Sequence, residues 1–170
     1  DCAPDEVEIV ICEDRSPKQA EIRAAIEAEA QRSPYRIRYS ENAENLGYDG
    51  NIRRLVETAT GKYVLFMGDD DLFVPGALDR FLAFLTEHAG AKYVLRSYIV
   101  RHENGAVETF RYKSATTALP PGEDTVAWLF KRSVTICGFT IDSPEALRHA
   151  TAELDGTLLY QIYVMAELCL

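Results

Sequence analysis

A chain of 170 residues is long enough to form one domain with a sizeable hydrophobic core. Hydrophobic residues make up 47% of the chain, which excludes an intrinsically disordered protein. The formal net charge is −9 and no stretch is rich in lysine or arginine, which argues against nucleic acid or an anionic membrane as the main partner.

The first half of the chain alternates between strand and helix patterns. Short apolar or alternating runs predict strands at residues 8–12, 35–39 and 63–67. Between and after these runs, apolar residues recur at helical spacing. The first helix should begin with a capping box, in which Ser16 is the N-cap, Pro17 the first helical residue and Gln19 the third. This order predicts an α/β fold with a mostly parallel sheet and helices on both faces.

The second half of the chain has a different pattern. Residues 93–101 and 106–112 have strand character, and the Asn104-Gly105 pair between them predicts a β-hairpin. The remaining predicted elements are a short helix at 124–131, a strand at 134–141 and helices that begin at Ser143 and near Thr157. We find neither an internal repeat nor a domain boundary, so residues 1–170 are expected to form a single domain.

Three consecutive carboxylates, Asp69, Asp70 and Asp71, follow the third predicted strand. Like charges about 5 Å apart repel by roughly 3 kcal/mol per pair at an effective dielectric near 20, so the run does not stabilise the fold. A divalent cation relieves this repulsion, and Mg²⁺ binds one or two protein carboxylates together with substrate phosphates. The alternative is a polar turn in which an aspartate caps the next helix.

Glu13 and Asp14 also follow a predicted strand directly. The carboxyl ends of parallel strands lie along one edge of a sheet, where open α/β folds bind their ligands. Both acidic groups should therefore face the same crevice, which favours a binding site over a polar turn. Helix capping is the alternative role for Asp14, although Ser16 is already the predicted cap.

The cysteines and the single tryptophan are expected to be structural. Cys2, Cys12, Cys137 and Cys169 are far apart and lack metal-ligand spacing. Cys12 lies in an apolar strand and should be a small core residue. We therefore expect free thiols in a reducing cytoplasm. Trp128 is expected in the core rather than on an acceptor-binding surface.

Four segments resemble glycosyltransferase family 2 enzymes of the GT-A fold in residues, order and spacing. They are VEIVICEDRS at residues 7–16, NLGYDGN at 45–51, ATGKYVLFMGDDD at 59–71 and PGAL at 75–78. The resemblance covers residues 5–87, which would form the nucleotide-sugar-binding half, and more faintly an acceptor-side half at 88–170. The GDDD form is similar to that of O-antigen deoxysugar transferases such as abequosyltransferase-like proteins.

The resemblance implies which residues bind the nucleotide of the donor. Asp14, with Glu13 beside it, would hydrogen-bond the nucleotide base, usually uracil. The segment from Asn45 to Asn51 would form the loop beside the nucleotide and lead into the next helix. These residues are therefore the candidates for donor nucleotide binding.

The resemblance also implies that the acidic run is a DxD-type motif, which binds Mn²⁺ or Mg²⁺ and the ribose and diphosphate of the donor. Strand alignment places Gly68 where the family often has its first aspartate. We therefore take Asp70 as the main metal ligand. Asp69 comes next and also belongs to the donor-binding set, and Asp71 supports them.

The catalytic base is expected in the second half of the chain. In an inverting transfer, a carboxylate opposite the leaving group removes the proton of the acceptor hydroxyl. The family places this base well after the DxD motif and near the start of a helix, and Asp155 is the candidate. The alternative role for Asp155 is to cap the last helix. Glu153 and Asp142 are weaker candidates.

The family normally has a strand and a helix before the strand at residue 8, and the sequence lacks them. We expect either that the sequence is a fragment or that another segment or a second copy of the chain fills this position. An unpaired central strand is costly. The isolated chain should therefore bind its donor weakly or self-associate as a homo-oligomer.

The resemblance predicts a glycosyltransferase that moves a hexosyl or deoxyhexosyl group from a UDP-, CDP- or dTDP-linked donor to a glycan or lipid-linked acceptor. It would act in polysaccharide biosynthesis, in the cytoplasm or peripherally at the inner face of the membrane. One alternative is a non-catalytic nucleotide-sugar-binding module. The other is a receiver-like domain for Mg²⁺-dependent phosphoryl transfer, which needs a lysine at a later strand end, whereas Lys92 precedes its strand.

Overall fold

The computed structural model describes residues 3–170, so Cys2 lies outside the described residues. The described strands are β1 (Glu8–Glu13), β2 (Arg36–Glu41), β3 (Tyr63–Leu65), β4 (Tyr93–Leu95), β5 (Tyr98–Arg101), β6 (Val107–Phe110) and β7 (Phe139–Asp142). The described α-helices are α1 (Gln19–Ala30), α2 (Gly47–Thr58), α3 (Ala77–Glu87), α4 (Glu123–Phe130), α5 (Ser143–Arg148) and α6 (Tyr160–Cys169).

The strands form three sheets. β1 and β2 are parallel, with Glu8 opposite Arg36 and Glu13 opposite Glu41. β7 lies between β3 and β4 and is antiparallel to both. β5 and β6 form the predicted antiparallel hairpin, and Gly105 in its turn has a φ of +82°. The α/β class and the hairpin are confirmed.

The position of β7 modifies the predicted parallel arrangement. β3 and β4 run in the same direction, as consecutive strands joined by a helix should. They are not neighbours, however, because β7 from the second half of the chain occupies the place between them. All four residues of β7 are buried, which suits a central strand.

Two elements have different bounds in the structure from those predicted. α1 begins at Gln19, and Ser16 bonds the amide of Lys18 instead of capping the helix, so the capping-box prediction is wrong. The Gln19 side chain bonds the Glu13 carboxylate at 2.8 Å rather than the backbone of Ser16. The predicted strand at 93–101 is divided at Arg96 and Ser97, because β4 pairs with β7 whereas β5 pairs with β6.

The hydrophobic core lies where α2, α5 and α6 pack against β3 and β7. Its largest fully buried side chains include Phe139, Ile141, Tyr160 and Met165. α1 contributes no buried residue, as its narrow alanine-rich stripe predicts. Within the described chain, no helix is both long and apolar enough to cross a membrane.

Glu8 joins the start of β1 to the segment that leads into β3. One of its carboxylate oxygens accepts hydrogen bonds from the backbone and hydroxyl of Thr60, at 2.6 and 2.7 Å, and from the amide of Gly61 at 3.2 Å. The other oxygen lies 3.2 Å from Arg38. Because no strand ladder within residues 3–170 joins the β1–β2 sheet to the β3–β7–β4 sheet, these contacts tie β1 to the segment that leads into β3.

Glu8→Gln should therefore destabilise the fold in a pH-dependent way. Burial by itself would raise the pKa of Glu8, but hydrogen bonds from Thr60 and the charge of Arg38 outweigh it and hold the pKa below 4.5. The contacts stabilise the fold above pH 4.5, and this stabilisation is lost as pH falls through the lower folded-state pKa. We expect a loss of about 1–2 kcal/mol in urea unfolding at neutral pH. The difference should shrink in strong acid.

The exposed Glu27→Gln is the matched control and should leave stability unchanged at either pH. An equal loss for Glu8→Gln at neutral and acid pH would contradict the role assigned to the Glu8 charge. So would a neutral-pH stability equal to that of the unaltered chain.

Candidate functional site

The three aspartates lie in a tight turn after β3. The turn closes with a hydrogen bond from the amide of Asp71 to the carbonyl of Gly68, at 3.3 Å. Asp69 and Asp70 are exposed, and neither forms a hydrogen bond or an ion pair with another described residue. Their carboxylates are therefore available for an external ligand.

Asp71 has a different environment from its two neighbours. Its Oδ2 accepts a hydrogen bond from the amide of Gly68 at 2.9 Å, so the side chain folds back over the turn. Burial raises the pKa of the Cys137 thiol, and the Asp71 carboxylate beside it raises that pKa further. Asp71 thus stabilises the turn and its packing, while Asp69 and Asp70 are exposed and bond no other described residue.

Gly68 leaves room for two carboxylates of this turn. A Cβ atom at this position would lie 2.9 Å from a carboxylate oxygen of Asp70 and 2.9 Å from one of Asp71. A side chain here would force both carboxylates to move. The present side-chain arrangement of the turn therefore depends on glycine at the position where the family often has an aspartate.

Asp14 is the centre of a polar network beyond the ends of β1 and β2. Its Oδ1 accepts hydrogen bonds from the side chain of Asn42 at 2.9 Å and from the amide of Leu46 at 2.8 Å. Its backbone carbonyl accepts one from Asn45 at 2.9 Å. No described residue bonds its Oδ2, so one oxygen of a fixed, half-buried carboxylate remains available to a ligand.

Asn45 and Asn51 shape the entry into α2. The Asn45 side chain also accepts a hydrogen bond from the amide of Gly47 at 3.0 Å, which fixes the turn before the helix. Asn51 donates to the carbonyl of Cys12 at 3.1 Å and accepts from Asn42 at 3.1 Å. Both asparagines are used within the chain, where they position Asp14 and tie α2 to β1.

Glu13 is buried and is used by the chain itself. Its carboxylate accepts hydrogen bonds from the amides of Ser16 at 2.6 Å and Arg15 at 3.0 Å, as well as from Gln19. Burial alone would raise the pKa of Glu13, but these hydrogen bonds outweigh it and lower the pKa. Glu13 therefore orders the loop between β1 and α1, and its contact with a nucleotide stays a prediction.

The path of α2 relates the two acidic groups. At its start, α2 is bound to the end of β1 through Asp14 and Asn51. At its end, the carbonyl of Thr58 accepts from Arg38, and Thr60 bonds Glu8 at the start of β1. α2 thus runs back along β1, and β3 starts beside the point where β1 starts. This arrangement supports the expectation that Asp14 and the acidic turn lie along one edge.

The metal prediction can be compared with the donor groups present. Among the described residues, no three His, Cys, Asp or Glu side chains are grouped closely enough to hold a metal ion. Mg²⁺ and related ions need only one or two protein carboxylates when phosphates supply other ligands. The exposed carboxylates of Asp69 and Asp70 fit such a shared site.

Asp155 lies beside α2 rather than at the start of α6. Its Oδ2 receives a 2.7 Å hydrogen bond from Arg53, which also pairs with Glu57 at 3.2 Å. A Cβ on Gly50 would lie 3.4 Å from the same Asp155 oxygen. The side chain remains 30% exposed, so a substrate can still reach it.

A residue that the sequence analysis did not single out caps α6. Asp49 on α2 is 1% exposed, and its carboxylate accepts from the amides of Leu158 at 2.7 Å and Tyr160 at 3.0 Å. It satisfies the free amides at the start of a helix from a distant part of the chain. The alternative in which Asp155 caps α6 is therefore wrong. Asp142, a weaker candidate for the base, caps α5 through the amide of Glu145.

Asn42 was also missed, although a signal for it exists. It follows β2 directly, as Asp14 follows the last residue of β1, and the same argument about strand ends applies to it.

Arg96 was missed because nothing in the local sequence distinguishes it. Its half-buried position between β4 and β5 depends on β7, which is contributed by the second half of the chain.

The family model described as Glycosyl transferase family 2 matches residues 3–140, which is most of the chain. No curated protein matches this chain. Among solved structures, the chain is similar to the crystal structure of S. aureus TarS 1-349, with a TM-score of 0.65 and 20% sequence identity. The match covers 99% of this chain and 48% of that one, so the chain spans about half the length of its structural relative. The similarity confirms the predicted GT-A-like fold, and by the family match this chain belongs to glycosyltransferase family 2.

Proposed function

We propose that this chain is the donor-binding part of a glycosyltransferase that uses a nucleotide sugar and a divalent cation. The observation that carries the proposal is the pair of exposed, unpartnered carboxylates, Asp69 and Asp70, on a turn that the Asp71 side chain closes over Gly68. The fixed Asp14 carboxylate, with one oxygen available, supports nucleotide recognition. Family membership supports the reaction class.

The proposed roles follow from the environment of each side chain. Asp70 is the main metal ligand and Asp69 the second, while Asp71 keeps the turn in shape. Asp14 accepts a hydrogen bond from the nucleotide base through Oδ2. Asn45 and Asn51 hold Asp14 and the start of α2 in place, and the role of Glu13 is to order the neighbouring loop. Bound Mn²⁺ or Mg²⁺ supplies positive charge that stabilises the diphosphate leaving group.

The proposed transfer inverts the anomeric configuration. A carboxylate removes the proton of the acceptor hydroxyl, and the acceptor oxygen forms a bond to the anomeric carbon of the donor sugar. The bond from that carbon to the diphosphate oxygen breaks, and the nucleoside diphosphate leaves with the electron pair. Asp155 is the proposed base. Its ion pair with Arg53 holds it in one orientation, and its exposed fraction keeps it accessible.

The donor, acceptor and cellular setting are proposed from the family resemblance. They comprise a UDP-, CDP- or dTDP-linked hexose or deoxyhexose, a glycan or lipid-linked acceptor, and a role in surface polysaccharide synthesis in the cytoplasm or at the inner face of the membrane. The O-antigen deoxysugar subgroup belongs to the same proposal.

Phosphoryl transfer of the receiver type is less well supported. Such a domain needs a lysine close to the acidic strand ends. Lys92 precedes β4, and its ammonium lies 3.3 Å from Glu145 and 3.8 Å from Asp142, at the end of β7. This lysine is already paired with carboxylates outside the acidic turn.

Calorimetric titration tests the proposal. UDP-, CDP- and dTDP-sugars are titrated into the chain with Mn²⁺ and with EDTA, and acetyl phosphate is added in a separate experiment with Mg²⁺. We expect at least one nucleotide sugar to bind only when Mn²⁺ is present. Phosphorylation of an aspartate by acetyl phosphate would overturn the proposal, as would the absence of binding by every nucleotide sugar. Binding without transfer to any of a broad set of glycan and lipid-linked acceptors would favour a non-catalytic module.

A further inference from the structure

A cavity of about 760 Å³ lies between α3, β4, α4 and the loop at residues 111–121. This volume is within the range of small-molecule binding sites. Its walls combine aromatic and aliphatic side chains, including Phe81, Tyr93 and Trp128, with the hydroxyl-rich loop. Trp128, the only tryptophan of the chain, is half-buried here rather than in the closed core.

All charged side chains that line this cavity are basic. They are His88, Lys92, Arg96, Arg111 and Lys113, and no described aspartate or glutamate lines it. This is unusual because acidic residues outnumber lysines and arginines by 27 to 18 in the whole chain. The cavity is therefore a local positive region in an acidic protein.

Three of these cations lack an acidic partner among the described residues. Arg96, Arg111 and Lys113 form no ion pair with a described carboxylate, although the charge of Asp71 acts on Arg96 from a longer distance. The Lys113 ammonium lies 5.0 Å from the ring centre of Trp128, so a charged and an aromatic group face the same space. The Arg132 guanidinium lies 4.3 Å from the same ring centre, so the ring is covered by cations. This combination suits a sugar that carries a negative charge, since the hydroxyl-rich loop can bond the sugar while the cations bind the anion.

Arg96 is the most constrained of these cations. Its guanidinium stacks on Phe81 at 4.8 Å and donates to the carbonyl of Cys137, while its Nε is buried without a hydrogen-bond partner. Burial lowers the pKa of Arg96 despite the opposing influence of Cys137 and Asp71. Arg96 is half-buried, and its buried Nε loses hydration without gaining a partner, a cost that an anionic ligand would offset.

Arg96 also connects the cavity with the acidic turn. It lines a second groove of about 300 Å³ together with Phe73 and Arg80, in which the charged residues are again both basic. Phe73 is two residues beyond Asp71, so this groove begins next to the proposed donor site. A ligand in the cavity would therefore lie beside the donor rather than on a remote surface.

We propose that this basic cavity, through Arg96, Arg111 and Lys113, binds an anionic acceptor, a sugar that carries a phosphate or carboxylate group. The role of this sugar as the acceptor rests on the proposed glycosyltransferase function. Binding of the anionic sugar can be measured independently of that function. The hydroxyl-rich loop bonds the sugar beside Trp128, and the three cations select for negative charge.

The fluorescence of Trp128 and calorimetry test this proposal together. Glucose 6-phosphate, glucose, inorganic phosphate and UDP with Mn²⁺ are titrated separately into the full chain. We expect glucose 6-phosphate to change the emission and to bind, with affinity falling several-fold between about 50 and about 300 mM NaCl. Glucose and inorganic phosphate should bind at least about tenfold more weakly, because each supplies one of the two contacts.

Surface variants make the test independent of folding. The double variant Arg111→Gln and Lys113→Gln, at two exposed positions, should weaken glucose 6-phosphate binding about tenfold. Arg36→Gln, which removes an exposed charge outside the cavity, should not change it. Equal binding of glucose and glucose 6-phosphate, or no heat and no emission change with either, would overturn the proposal.

The UDP experiment separates the two sources of phosphate. If UDP with Mn²⁺ competes with glucose 6-phosphate and is weakened equally by the double variant, the cations bind the donor diphosphate and the acceptor assignment is wrong. If nucleotide sugars fail to bind but glucose 6-phosphate does, the anionic-sugar site stands and the proposed glycosyltransferase function fails.

Discussion

Asp70→Asn should weaken Mn²⁺-dependent binding of a nucleotide sugar about 100-fold, or about 2.7 kcal/mol, without unfolding the chain. The Asp70 carboxylate is exposed and bonds no other described residue, so the fold does not depend on it. The amide of asparagine is a much weaker ligand than a carboxylate for a hard cation held by few protein groups. Calorimetry with the nucleotide sugar that binds the unaltered chain measures the effect.

Asp71→Asn is the informative comparison because it removes the same charge from the same turn. The Oδ2 atom of Asp71 accepts a hydrogen bond from the amide of Gly68, so this substitution should reduce thermal stability. It should weaken nucleotide-sugar binding by less than about tenfold. Asp5→Asn, at an exposed position, controls for net charge. A larger binding loss for Asp71→Asn than for Asp70→Asn would show that the motif is not centred on Asp70.

Asp49→Ala should lower the free energy of unfolding by about 3–5 kcal/mol, the largest stability effect we expect from one substitution. The buried carboxylate accepts hydrogen bonds from the amides of Leu158 and Tyr160 at the start of α6. Each hydrogen bond to a charged group contributes roughly 1.5–3 kcal/mol, and alanine leaves both amides unsatisfied. This loss is a large part of the 5–15 kcal/mol that stabilises a typical domain.

Urea unfolding followed by circular dichroism measures this loss. Asp49→Asn keeps one acceptor oxygen and should lose about half as much as Asp49→Ala. Asp5→Ala, at an exposed position, should have no effect. A change of less than about 1 kcal/mol for Asp49→Ala would contradict the cross-chain cap.

Asp49 also links stability to the candidate base. Asp155 lies in the segment between α5 and α6, and Asp49 fixes the end of that segment at Leu158, which has a φ of +61°. The NLGYDGN motif therefore has separate local and distant functions. Asn45 and Asn51 fix the end of β1 around Asp14. Asp49 and Gly50 contact the segment that carries Asp155.

Local patterns in the sequence were sufficient to predict much of the fold. Apolar runs and helical spacing predicted β1, α2, β3 and α3, because these periodicities depend on which face of one element is buried. The Asn104-Gly105 turn predicted the β5–β6 hairpin, because turn chemistry is local. The acidic strand ends were predicted for the same reason, since a strand end is a local feature.

Features that depend on distant partners became visible only in the folded chain. The α/β class, the hairpin and the placement of Asp14 and residues 69–71 after strands follow from local sequence patterns. Tertiary contacts place β7 between β3 and β4 and use Asp49 to cap α6. They also bond Asp71 to the turn and leave the buried Nε of Arg96 without a hydrogen-bond partner. The physical reason is that burial and hydrogen-bond satisfaction are set by neighbours from remote segments, which local propensity does not specify.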